Sequence, residues 1–255
     1  MLAELDRIEQ RIAMSGTVPD GIDAAFGLVD AVGFDAVIYD YSPVATSPGG
    51  DLLTPTHLSQ RNVPGDMRRM WCEQGYHQRD PVQQLALGRS MPFAWSYRRN
   101  DKDTDLAAHL SEEHAPVSAY LHDAGLTCGV TVPLHRVNGG FATFTVLRHN
   151  APRNFARTAR HHLSEIGMIG QILHEHSYAL FDETERQYNR INLTEREREC
   201  LRFSAEGLTA KETARRIKRS VPTVTLHLNS AIRKLNARNR VHAVTLANHY
   251  RLLDL

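Results

Sequence analysis

Leu193 to Arg240 reads LTERERECLRFSAEGLTAKETARRIKRSVPTVTLHLNSAIRKLNARNR, and its punctuation decides the fold of the C-terminal part. Thr194 with Glu197, and Thr209 with Glu212, are two capping boxes. In each, two side chains satisfy orphan backbone N–H groups at a helix start. Gly207 stands where the first helix stops, at the position that favours a left-handed backbone. Ser220 caps a third helix, and Pro222 falls in its first turn, where a missing N–H costs nothing. The apolar spacing agrees: Cys200, Leu201, Ser204 and Ala205 form one stripe, Ala210, Thr213, Ala214 and Ile217 a second, Val224, Leu228, Ala231 and Leu235 a third. None of these short helices is stable alone; together they make a helix-turn-helix. The third offers Thr223, Thr225, Asn229, Arg233 and Lys234 on its outward face, the hydrogen-bonding and cationic set that positions and reads in a major groove.

Charge divides the chain at the same place. Residues 193–255 hold 13 of the 30 Lys and Arg and 6 of the 29 Asp and Glu, about +7, which leaves about −6 on residues 1–192. A basic helix-turn-helix fused to an acidic partner predicts double-stranded DNA as the ligand of the C-terminal module alone. The length suffices for two cores. Met1-Leu2-Ala3-Glu4-Leu5-Asp6 opens a charged amphipathic helix and not a signal peptide, and no run approaches a membrane span. Cys72, Cys128 and Cys200, odd in number and set among apolar residues, read as reduced core thiols of a cytoplasmic protein.

The N-terminal half predicts helices at 1–13 and 20–32, and a strand at 33–41 with Val37, Tyr39 and Tyr41 on one face. A loop follows over 43–55, then helices at 65–76 and 81–88. Two strands, 129–134 and 141–148, flank a Val137-Asn138-Gly139-Gly140 hairpin turn. One long helix runs over 153–182. The expected fold class is α+β: an α/β/α sandwich with an antiparallel sheet over 1–182, a polar linker at 183–192, and an all-α helix-turn-helix domain at 193–255.

The C-terminal stretch resembles the DNA-binding domain of the LuxR family of bacterial regulators, carried by Glu197, Leu201, Gly207, Val224 and Lys234-Leu235 in register over roughly 50 residues. The N-terminal half resembles the signal-binding domain of the same family. Pro64, Asp80-Pro81-Val82, Pro92-Phe93-Ala94-Trp95, Gly125-Leu126, Gly129 and Val132-Pro133-Leu134 carry that likeness. The resemblance implies a pocket for an N-acyl-homoserine lactone, in which an Asp accepts from the ligand amide, a Trp donates to the lactone carbonyl and a Tyr reaches the acyl carbonyl. Asp80 matches the Asp, Trp95 a second Trp that walls the ring, and Thr145 a position that contributes a hydroxyl.

Two positions depart from that pattern. Met67 stands where the family has the lactone-binding Trp, and Trp71 where it has the Tyr. A thioether cannot donate to a carbonyl, and a carbonyl buried unpaired costs about 1–3 kcal/mol, roughly a 5- to 150-fold loss of affinity. Lactone binding is therefore disfavoured. The Met and Trp pair is similar to the OryR-like LuxR solos of plant-associated bacteria, which implies a plant-derived small molecule as signal. From the residues themselves, Asp80 is an anionic acceptor in an aromatic box of Trp71, Trp95 and Tyr39. That box suits a small polar ligand with an N–H or an amine. Trp71 and Trp95 also fit as plain core residues, and Asp80 as the cap of the helix that Pro81 opens.

Neither His161-His162 nor His174 with His176 shares a helix face, so no metal site and no other cofactor is expected. Cys72 and His77 lie five apart with no oxyanion loop, and no enzyme is expected. Leu163, Ile166, Ile169, Ile172 and Leu173 form a stripe that serves as core or dimer seam, and Val241, Val244 and Ala247 a second seam. A homodimer on a two-fold-symmetric operator follows from the usual half-site geometry. Two rivals are a conventional lactone quorum sensor and a phosphorylated response regulator. The latter needs a parallel sheet, against which the hairpin argues.

Overall fold

The computed structural model describes residues 2–98, 101, 104–137, 139–188 and 190–253, and the chain divides into two compact units, Met1–Arg186 and Gln187–Leu255. In the first, α1 (Leu2–Ala13) and α2 (Val18–Asp30) lead into β1 (Ala36–Ser42) and β2 (His57–Arg61). A π-helical turn (Arg69–Glu73), α3 (Tyr76–Arg79) and α4 (Pro81–Leu87) precede β3 (Phe93–Ser96). Two 3₁₀ turns (Asp105–His109 and Glu112–His114) and α5 (Ala115–Asp123) come before the hairpin of β4 (Cys128–His135) and β5 (Phe141–Leu147). α6 (Phe155–Ala159), α7 (Leu163–Leu180) and α8 (Glu183–Arg186) close the unit.

The sheet order is β2-β1-β5-β4-β3, with every pairing antiparallel, which excludes a receiver-type parallel sheet. Because side chains alternate across a strand, each face has its own core. Val37, Tyr39, Tyr41, Val130, Val132, Phe144 and Val146 pack with α1, α2 and α7. Ala36, Ile38, Trp95 and Leu147 pack on the other side with Met67, Trp71 and Val82. The layers are those of an α/β/α sandwich.

Several elements differ from expectation. The helix predicted over 65–76 is a π-helical turn followed, after Gly75 at φ 72°, by the separate α3. The single helix predicted over 153–182 is broken by a 3₁₀ turn at Arg160–His162, which lets Phe155 meet Phe34 edge-on at 6.0 Å while α7 lies along the sheet. Its stripe is core: Ile166, Ile169 and Leu173 are fully buried, and Leu163 and Ile172 pack against the same cluster. β2, β3 and α5 escaped the reading, two of them because they are short edge strands without a clear alternation. Asn138 of the hairpin turn lies outside the described residues. Within 183–192, Glu183–Arg186 form α8, the boundary between the two units follows Arg186, and Tyr188 stacks on Tyr250 at 4.7 Å.

The second unit holds α9 (Glu195–Ala205), α10 (Ala210–Arg216), α11 (Val221–Lys234) and α12 (Arg240–His249). Both capping boxes close, with Thr194 N–H donating to Glu197 Oε2 at 2.7 Å and Thr209 N–H to Glu212 Oε2 at 2.7 Å. Gly207 takes φ 87°, and Ser220 Oγ accepts from Thr223 N–H at 3.2 Å. Cys200, Leu201, Ala214, Val224, Leu228, Ala231 and Leu235 make the core. Ala205, expected inside, is exposed. Ala247, expected in a dimer seam, is buried in the unit's own core, whereas Val241 is 75% exposed.

Candidate functional site

Four strands and three short helical segments converge on the second face of the sheet. Pairing places Trp95 opposite Gly129 and Thr131 opposite Thr145. A Cβ on Gly129 would stand 2.5 Å from Trp95 Cζ2 and 2.7 Å from Val146 O, so only glycine lets the indole lie over the sheet. Trp95 Nε1–H donates to Thr131 Oγ1 at 2.9 Å, and Thr131 and Thr145 share a hydrogen bond of 2.9 Å.

Above the sheet, the π-helical turn presents Trp71, a geometry common at functional sites. Its indole N–H is buried without a hydrogen-bond partner among the described residues. An unpaired buried donor is costly unless an acceptor meets it. Asp80 sits between α3 and α4 in extended backbone, as a residue before proline must. Its Oδ1 caps α4 by accepting from Val82 N–H at 2.9 Å and also accepts from the Tyr97 hydroxyl. Burial lifts its pKa to about 6, against the two hydrogen bonds that favour the carboxylate. Burial and the Asp80 charge push the Tyr97 phenol well above its ordinary value, so Tyr97 remains the donor.

Trp71, Asp80, Trp95 and Thr145 line one small cavity of about 20 Å³ with Ile38, Gln83 and Leu121. Two other expected members are placed differently. Met67 is fully buried in the same apolar cluster but does not line the cavity. Tyr39 is on the wrong face. It belongs to the α2 and α7 core, its hydroxyl 2.8 Å from His174 Nδ1, because it pairs with Phe144 whereas its neighbour Ile38 pairs with Thr145. The sequence reading missed Tyr97, Thr131 and the buried network beside them, in which Gln83 Nε2 donates to Asp40 at 3.2 Å and Thr143 at 3.1 Å. Tyr97 was within reach of sequence, two residues from Trp95 and so on its side of the strand. The polar network left no local signal.

On α11, Asn229 and Arg233 are exposed, and their side chains make no hydrogen bond among the described residues. Thr225 is exposed, its hydroxyl back-bonded to Val221 O at 3.0 Å, and the Thr223 hydroxyl lies 2.8 Å from Ser220 Oγ. Leu226, 67% exposed between them, is an apolar group the sequence reading passed over. Lys234 has a partner that the sequence did not announce. Its Nζ donates to Glu197 Oε2 at 2.8 Å, tying α11 to the first turn of α9. Burial would raise the Glu197 pKa, but hydrogen bonds from Lys234, Ser230 and Thr194 outweigh it and hold the carboxyl at about 2. Lys234 thus ties α11 to α9 while remaining exposed.

Among the described residues no group of His, Cys, Asp and Glu could hold a metal, no helix is long and apolar enough to cross a membrane, and no disulfide joins Cys72, Cys128 or Cys200.

An enclosed polar-aromatic box on one unit and a helix-turn-helix on the other define a ligand-binding transcriptional regulator. The autoinducer binding domain model matches residues 18–177, and that of the bacterial regulatory proteins of the luxR family matches 191–247; the chain belongs to the LuxR family of regulators, which are not enzymes. It is 28% identical to the transcriptional activator protein CarR of Pectobacterium carotovorum over 73% of this chain and 76% of that one. It is 27% identical to the transcriptional activator protein BjaR1 of Bradyrhizobium diazoefficiens over 93% and 90%. SdiA in complex with octanoyl-rac-glycerol superposes with a TM-score of 0.64 at 19% identity, over 98% of this chain and 95% of that chain.

Proposed function

We propose that this regulator answers a small molecule other than an acyl-homoserine lactone, plant-derived as in the OryR-like solos, and that ligand binding changes its affinity for DNA. One observation carries the reading: the unpaired Trp71 indole N–H and the Asp80 carboxylate line the same cavity, while Met67, where a lactone donor would stand, offers none. A donor and an acceptor side by side suit a ligand with a carbonyl next to an N–H, or an amine beside an acceptor. SdiA, of the same fold, takes octanoyl-rac-glycerol, which has no lactone ring. The ligand orders the N-terminal unit and biases the protein toward one of its states. The protein acts as a homodimer on a two-fold-symmetric operator, with Thr223, Thr225, Asn229 and Arg233 facing the DNA.

Thermal melting of the purified full chain against acyl-homoserine lactones of graded length, and against fractionated plant extract, tests this. Stabilisation by extract fractions alone is expected. Stabilisation by a lactone would make the protein a conventional quorum-sensing receptor.

A further inference from the structure

The outward face of α11 centres on an apolar residue. Val224, Leu228, Ala231 and Leu235 are buried and fix the inward direction of the helix. At about 100° per residue, Leu226 projects almost directly away from them. Asn229 and Arg233 follow it three and seven positions along the same face. A lone exposed leucine is ordinary on a protein surface. Leu226, 67% exposed, is distinguished by its place, in the middle of the face that a helix-turn-helix lays in the major groove.

Charge is divided between the two helices of the motif. From Val221 to Ile232, α11 carries no Lys or Arg, and its first cation is Arg233 in the last turn. Lys211, Arg215 and Arg216 on α10, with Lys218 and Arg219 in the turn after it, are all exposed. Cations position a protein on phosphates, and contacts to base edges specify the sequence. Guanine is read by Arg or Lys at O6 and N7, adenine by Asn at N6 and N7, and thymine by apolar contact with its C5 methyl. The first three turns of α11 lack the guanine reader and carry the other two, Asn229 and Leu226.

We propose that Leu226 reads the C5 methyl of a thymine in each half-site, on the base pair next to the adenine read by Asn229. Three residues of helix advance about 4.5 Å, against about 3.4 Å between stacked base pairs, so the two side chains address neighbouring pairs. The core of the half-site is therefore two adjacent A·T pairs. The group recognised is the methyl and not the thymine as a whole. 5-Methylcytosine presents the same methyl at the same place in the groove, so a site with cytosine there is bound better when that cytosine is methylated. This rests on the reading of α11 as the groove helix given above.

The test begins with selection of a site by the full chain from random duplex DNA, with and without plant extract. Each thymine of the enriched site is then replaced by deoxyuridine, which removes only the methyl. One thymine per half-site should respond, its loss weakening wild type roughly fourfold, the worth of one buried methyl-sized group. Cytosine at that place should bind more weakly than 5-methylcytosine by a similar factor. Leu226→Ala should abolish both differences and keep the wild-type salt slope, whereas Asn229→Ala should keep both differences. If a site is enriched but no thymine responds, or if Leu226→Ala keeps the methyl effect in full however tightly it binds, Leu226 is no base reader and the DNA reading stands. If wild type enriches no sequence with or without extract, both readings fall. The deoxyuridine series on wild type decides methyl recognition even if Leu226→Ala fails to fold.

Discussion

The two units are specified over very different distances along the chain. In the helix-turn-helix the hydrogen bonds that start each helix join residues three apart, as in Thr194 with Glu197, Thr209 with Glu212 and Ser220 with Thr223. In the pocket they join Thr131 to Thr145 across 14 residues, Tyr97 to Asp80 across 17, Trp95 to Thr131 across 36 and Gln83 to Asp40 across 43. A locally closed element can be read from a short window. A pocket built across a sheet depends on register, and there a shift of one residue moves a side chain to the opposite face.

The strongest way to break this comparison is to attack register without touching a polar group. Gly129→Ala drives a methyl into Trp95 and the Val146 carbonyl, and should cost the N-terminal unit about 3 kcal/mol. Urea unfolding followed by tryptophan emission measures it. A loss below about 0.5 kcal/mol would mean that Trp95 is not held as described.

Protonation sharpens the contrast. Asp80 is raised to about 6 by burial, so between about pH 4 and 6 the folded unit holds the extra proton and gains stability as pH falls. His174, on the other face of the sheet, is lowered to about 4 by burial first, with the Arg136 charge adding to it. Its contribution is full above about 6.5 and is lost as pH falls toward 4. The two are opposite in sign and each about 2–3 kcal/mol, so wild-type stability of this unit should be nearly flat over that window. Asp80→Asn should unmask a loss on acidification. A variant with the same flat profile as wild type would contradict the pair.

In the C-terminal unit no such opposition exists. Glu197 is held at about 2, below its ordinary 4.5, so its stabilisation is complete above about pH 4.5 and fades as pH falls toward 2. Lys234→Ala leaves that buried carboxylate without its cation and should destabilise this unit by about 2 kcal/mol, seen in far-ultraviolet circular dichroism but not in tryptophan emission. A variant of unchanged stability with weakened DNA binding would make Lys234 a DNA contact alone.

The smallest effects concern the groove. Arg233→Ala should weaken all DNA sequences alike and lower the salt slope by about 1. Asn229→Ala should relax preference at one base pair, costing about 1–3 kcal/mol there. Binding-site selection on both variants separates them, and an unaltered Asn229→Ala profile would remove that residue from base reading.

How far the sequence could be read follows the same division. The capping boxes, Gly207 and the Val224 to Leu235 stripe are local and were legible, as was the alternation of Val37, Tyr39 and Tyr41. Asp80, Trp71, Trp95 and Thr145 came from the family resemblance, and the structure gathers them around one cavity. Tyr39 was misplaced although its alternation was correctly read, because the face opposite Phe144 and the face opposite Thr145 are distinguished only by cross-strand pairing. The tie of Lys234 to Glu197 had no local signal because the two lie 37 residues apart.

The most direct test of the ligand site repeats the melting panel on Asp80→Asn beside wild type, using whichever component stabilises the wild-type chain. Stabilisation present in wild type and abolished in Asp80→Asn, with the tryptophan emission shift lost alongside it, is the predicted result. Equal stabilisation of both proteins would place the ligand elsewhere and contradict the account.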